Sequence, residues 1–113
     1  MDAKTFATKV CEILNNHKAE DVLMIDVSGK TEVADYYVIA GGRSMTHTRA
    51  LIEHVDEETE KLGFGAIRSE GVREGRWAVL DYGDVIVHIF NDETRLFYHL
   101  EELFDNGKNI TRF

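Results

Sequence analysis

A chain of 113 residues with 21 acidic and 13 basic side chains has a formal net charge of −8. That field repels bare nucleic acid unless a local basic patch overrides it, and Arg68, Arg73 and Arg76 are interleaved with Glu70 and Glu74. The single cysteine, Cys11, excludes an internal disulfide or a cysteine-rich zinc site, and no run approaches the roughly 20 apolar residues of a membrane span.

The length suits one domain over residues 1–113 with one core, and there are no prolines, repeats or low-complexity tracts to mark a linker. The N-terminus lacks the basic-then-apolar order of a signal peptide, so a cytoplasmic, reducing compartment is expected. Residues 2–17 read as a helix. Asp2 can cap it, and Phe6, Val10, Ile13 and Leu14 recur at helical spacing. Cys11 falls within this pattern and reads as a packed thiol. Val22 to Val27 is a compact strand ended by Ser28-Gly29-Lys30, and Tyr36 to Ala40 is a second buried strand.

Ser44 is then placed to cap a long helix from Met45 to Leu62. Its inner stripe is Thr48, Leu51, Ile52, Val55, Thr59 and Leu62, and Glu53, Asp56, Glu57 and Glu60 make its acidic outer face. Gly63 supplies a left-handed cap. Phe64 to Ser69 is a weaker edge strand. Trp77–Leu80 and Val85–Phe90 form an antiparallel hairpin about Asp81-Tyr82-Gly83-Asp84, because a parallel return needs a longer crossover. The second hairpin strand is apolar on both faces, which places it mid-sheet with both sides covered. A last helix starts near Asn91 or Asp92 and buries Leu96, Phe97, Leu100, Leu103 and Phe104. Asn106-Gly107 ends it, and residues 106–113 are expected to be a frayed tail. The order α-β-β-α-β-β-β-α gives an α/β or α+β layered domain, a mixed sheet with flanking helices.

Catalytic arrangements are sparse. No Gly-X-Ser-X-Gly elbow is present, and Gly41-Gly42 is too short for a phosphate loop and lacks its lysine. His47 and His54 are two helical turns apart, about 10 Å of rise, too far to share one zinc. His88, mid-strand, reads as a hydrogen-bonded core histidine. A strand ending in Gly41-Gly42-Arg43-Ser44 and entering a helix resembles the opening of the nucleotidyltransferase fold. Enzymes of that fold follow it with a strand carrying two metal-binding carboxylates. Here that strand has Arg68 and no aspartate, while Asp81 and Asp84 come later, flanking a turn. The motif reads as the fold without its catalytic equipment, and a metal-dependent nucleotidyltransferase remains the alternative. Trp77 and Tyr82 are of the types enriched at interface hot spots, and they read equally well as core and turn residues.

The segments Lys18-Ala19-Glu20-Asp21-Val22, Ala34 to Ala40, Gly42-Arg43-Ser44, Glu70-Gly71, Trp77 to Phe90 and Arg95 to Glu101 together resemble the ribosomal silencing factor (RsfS or Iojap) family over residues 4 to 105. Gly41-Gly42, where the family often has Ser-Gly or Thr-Gly, and Phe104, where it often has Trp, are small departures. The resemblance implies a nucleotidyltransferase-like fold with no enzymatic activity, no catalytic residue, no metal and no cofactor. It implies binding to the large ribosomal subunit through its protein L-fourteen, which sterically prevents joining to the small subunit and represses translation when nutrients are short. It also implies a homodimer in some members. The implied partner-binding residues are Glu70, Gly71, Trp77, Asp81, Tyr82 and Asp84.

Overall fold

Asp2 opens the first helix by accepting the Thr5 N–H at 2.7 Å, a bond that also holds its carboxyl below the usual carboxylate range. The computed structural model describes residues 1–91 and 100–113. Helix α1 (Ala3–Asn16) is followed by β1 (Glu20–Asp26), β2 (Tyr36–Gly42), α2 (Met45–Lys61), β3 (Arg68–Glu70), β4 (Trp77–Asp81) and β5 (Val85–Asn91). After residues 92–99 come a short helix, α3 (Leu100–Phe104), and a strand, β6 (Ile110–Arg112).

The strands form one mixed sheet in the order β3-β4-β5-β2-β1-β6. Among the described strand pairs only β2 and β5 run parallel, because α2, β3 and β4 lie between them in sequence. The hairpin predicted from the short Asp81–Asp84 turn is antiparallel, with Trp77 opposite Phe90 and Val79 opposite His88. Every residue of β5 from Val85 to Phe90 is buried, as its two apolar faces require in mid-sheet.

Both long helices cover one face. Phe6, Val10, Ile13 and Leu14 of α1, and Thr48, Leu51, Ile52, Val55 and Thr59 of α2, are buried there over Val38, Val87 and Ile89. Leu62 departs from the expected stripe: it caps α2 rather than lying within it, and is 39% exposed. Cys11 is fully buried, and desolvation pushes its thiol up to about 12, so it packs as an apolar group and stays protonated. Ser44 accepts the His47 N–H at 3.0 Å, closing the start of α2 as read. A Cβ on Gly42 would lie 2.3 Å from Thr48 Oγ1, so that glycine serves the close approach of α2 to β2.

The chain end differs from expectation. Residues 110–112 are a sixth strand on β1, with Ile110 opposite Ile25, and not part of a frayed tail. Two contacts hold it: Asp26 N–H donates to Asn109 O at 2.9 Å, and the Asn109 amide bridges to Asp26 O and Phe104 O. Ile110 also packs into the second apolar cluster. Leu103, expected inside, is 72% exposed, while Phe104 packs inward. The expected cap at Asp92 and the expected core positions Leu96 and Phe97 lie outside the described residues, as does the Leu100 side chain.

Candidate functional site

The face of the sheet away from α1 and α2 carries a different chemistry. Strand alternation sends Ala78 and Leu80 under the helices and Trp77, Val79 and Asp81 to the other side. The register extends this surface across the sheet. Glu70 lies opposite Val79, which lies opposite His88, which lies opposite Ile39. Arg68 faces Asp81 in the same way. A cleft of about 240 Å³ opens over this edge, lined by Val33, Arg68, Glu70, Val79 and Asp81.

Trp77 is half-buried at the centre of an aromatic group. Its indole stacks on Phe90 at 5.0 Å, and its Nε1–H donates to His88 Nδ1 at 3.1 Å. That bond leaves the His88 proton on Nε2. Tyr37 meets His88 edge-on at 4.9 Å, and Phe104 meets Tyr37 at 5.1 Å. Burial pulls the His88 pKa down to about 4, so the imidazole stays neutral. Its Nε2 has no hydrogen-bond partner among the described residues. The reading of His88 as a hydrogen-bonded core histidine therefore holds for one ring nitrogen.

The six residues implied by the resemblance do not form one patch. Glu70, Trp77 and Asp81 share the sheet face away from α1 and α2. Gly71 shapes it from behind: its φ is +72°, and a Cβ there would lie 2.1 Å from Trp77 O. Asp81 Oδ1 accepts the Gly83 N–H at 2.8 Å and so builds the turn. Tyr82 points the opposite way, to the helices. Its hydroxyl meets Thr59 Oγ1 at 2.9 Å and its ring meets Phe6 at 4.9 Å, and burial raises its phenol. Asp84 is exposed at the end of the hairpin, where its carbonyl accepts the N–H groups of Asp35 and Tyr36.

Asp81 and Asp84 join no group of three or more metal-ligating side chains among the described residues. The group that does form is His17, His54 and Glu58, one from the end of α1 and two from α2. The sequence test paired His54 with His47. In the fold His47 is engaged elsewhere, accepting the Arg43 N–H at Nδ1 and donating from Nε2 to His17 O. The spacing of His54 and Glu58, one helical turn, was visible in sequence. The approach of His17 needed the packing of α1 on α2.

The chain is an acidic α+β domain whose mixed sheet carries two long helices on one face and an aromatic, cleft-bearing surface on the other. The family model described as "Ribosomal silencing factor during starvation" matches residues 1–112. The ribosomal silencing factor RsfS of Bacillus subtilis is 33% identical over 107 residues, 95% of this chain and 91% of that protein. A crystal structure of a Chromobacterium violaceum protein superposes with a TM-score of 0.89 at 29% identity, covering 92% of this chain and 87% of that one. A crystal structure from Bacillus halodurans gives 0.78 at 26%, covering 97% and 96%. The chain belongs to the RsfS family of ribosomal silencing factors. That family is named for regulation of translation rather than for a catalysed reaction.

Proposed function

We propose that this chain binds the large ribosomal subunit through its protein L-fourteen and, by occupying that surface, blocks joining to the small subunit and represses translation under nutrient limitation. The observation that carries this reading is the match to the silencing-factor family over nearly the whole chain. The surface chemistry supports it. Glu70, Asp81 and the exposed Asp84 at the far end of the hairpin from the half-buried Trp77 form a loose acidic rim with Arg68 set among them, and the body carries a net charge of −8. An acidic rim suits a basic protein face and disfavours direct RNA contact. Blocking needs affinity and bulk, which a modest interface of roughly 1,200–2,000 Å² with an aromatic anchor provides.

The docking surface is the part of the sheet face away from α1 and α2 that carries Glu70, Trp77 and Asp81, with Gly71 holding the turn beneath. Asp84 extends the rim around the hairpin end, and Tyr82 braces the hairpin from the helix side. A homodimer is a second assembly of the chain, and the dimer and L-fourteen would compete wherever their surfaces overlap. The site of action is the cytoplasm, in keeping with the absence, among the described residues, of any helix long and apolar enough to cross a membrane.

The test is capture of the full chain by purified L-fourteen, with co-sedimentation on large subunits in a sucrose gradient. Adding the chain to separated subunits should lower the joined fraction. Trp77→Ala should weaken large-subunit binding by about 2 kcal/mol or more, roughly thirtyfold, while circular dichroism stays native. Absence of co-sedimentation sinks the proposal. Tight magnesium–nucleotide binding that disappears in Asp81→Ala and Asp84→Ala would replace it with the nucleotidyltransferase reading.

A further inference from the structure

We propose that His17, His54 and Glu58 bind a zinc ion that clamps the C-terminal end of α1 to α2. One ligand atom from each of the three side chains lies within 4.8 Å of the others. His17 Nε2 is 2.8 Å from Glu58 Oε2, and the His17 and His54 rings stack 3.6 Å apart, only 6° from parallel. Zinc–nitrogen bonds of about 2.1 Å in a tetrahedral site put ligand atoms roughly 3.4 Å apart. The largest separation therefore has to close by at most about 1.4 Å, and because ring nitrogens bind metal in the ring plane the two imidazoles must also turn out of their parallel stack, a rotamer adjustment for side chains that are only partly buried. Two imidazoles and one carboxylate are a borderline donor set suited to zinc, with a water completing the fourth position.

The backbone prepares the site. His17 caps the C-terminus of α1, where the helix dipole and unpaired carbonyls favour a cation. Its N–H is held by Ile13 O and Leu14 O at 3.2 Å, and its carbonyl accepts Nε2–H of His47 at 3.1 Å. His54 and Glu58 sit one turn apart on α2, whose exposed face adds Glu53, Asp56, Glu57 and Glu60 and lowers the potential felt by an approaching cation. Binding breaks the His17–Glu58 hydrogen bond. The Nε2 proton passes to Nδ1 or to water as the metal takes its place.

The experiment titrates the full chain, free of any histidine tag and stripped of metal, with zinc by calorimetry and with cobalt by visible absorption. Saturation at one metal per chain, with the intense absorption of four-coordinate cobalt, is expected. His54→Ala and Glu58→Gln should each weaken binding at least tenfold while their metal-free melting curves match the parent. Glu57→Gln, one position along on the Lys61 pair, should bind like the parent. Zinc should raise the melting temperature of the parent and of Glu57→Gln only. No saturable binding, a six-coordinate cobalt spectrum, or equal affinity in both ligand variants overturns the site.

Discussion

The two faces of the sheet are closed by different means. Under α1 and α2 the packing is aliphatic: Val10, Leu14, Leu51 and Val55 meet Val38, Val87 and Ile89, all essentially inaccessible to water. The buried hydroxyls there, Thr48 and Thr59, bond back to carbonyls of their own chain segment at 2.9 and 2.7 Å, so neither is left without a partner. The opposite face sets aromatic and polar groups on an aliphatic base of Leu23, Ile25, Val27 and Ile39. Trp77, His88, Tyr37 and Phe104 lean on one another around a neutral imidazole, and a cleft opens beside them. The comparison separates two tasks: the side under α1 and α2 supplies most of the stability, and the opposite side carries the surface proposed for docking and the sensitivity to pH.

The largest effect should come from breaking the helix side. Leu51 is fully buried between α2 and the sheet, so Leu51→Ala should lower stability by about 2–5 kcal/mol in urea titration. The fraction still folded should bind large subunits as the parent does. A loss below about 1 kcal/mol would mean that the helices contribute less than the packing indicates.

The next effect belongs to the other face and is read by pH. His88 has a folded pKa near 4 against an ordinary value of 6.5, so between those values the unfolded chain binds the extra proton. Stability from this group is complete above about pH 6.5 and is lost as pH falls toward 4. Between pH 7 and pH 5 the loss should be about 2 kcal/mol. His88→Gln keeps an acceptor for the Trp77 indole but does not titrate, so it should flatten this dependence. Equal slopes in parent and variant would remove the imidazole as its source.

Most of the fold was legible because its signals are local. Asp2 and Ser44 cap the helices as read, the apolar stripe of α1 is buried, and the two-sided apolar pattern of Val85 to Phe90 put that strand mid-sheet. The signals that failed were tertiary. Ile110 becomes a strand because β1 offers it an open edge and Asn109 ties the turn down, and neither fact is written in residues 106–113. The proposed docking surface was legible as a set of residue types and not as a patch. Alternation along β4 separates Trp77 from Leu80, and Tyr82 follows Leu80 to the helices, so two aromatics five residues apart face opposite ways. The His88 bond to Trp77 joins non-adjacent positions on paired strands and becomes readable only once the hairpin register is fixed.

The smallest effect tests that division directly. Thr59 donates its hydroxyl proton to Val55 O at 2.7 Å, so at the 2.9 Å contact with Tyr82 it is the tyrosine hydroxyl that donates. Tyr82→Phe removes this donor and leaves the ring against Phe6, and the Thr59 hydroxyl keeps its bond to the helix. The cost should be about 0.5–1.5 kcal/mol in stability, with large-subunit binding unchanged, in contrast to Trp77→Ala. If Tyr82→Phe instead weakened subunit binding tenfold at unaltered stability, the phenol would be facing the partner, and the helix side would carry recognition as well as structure.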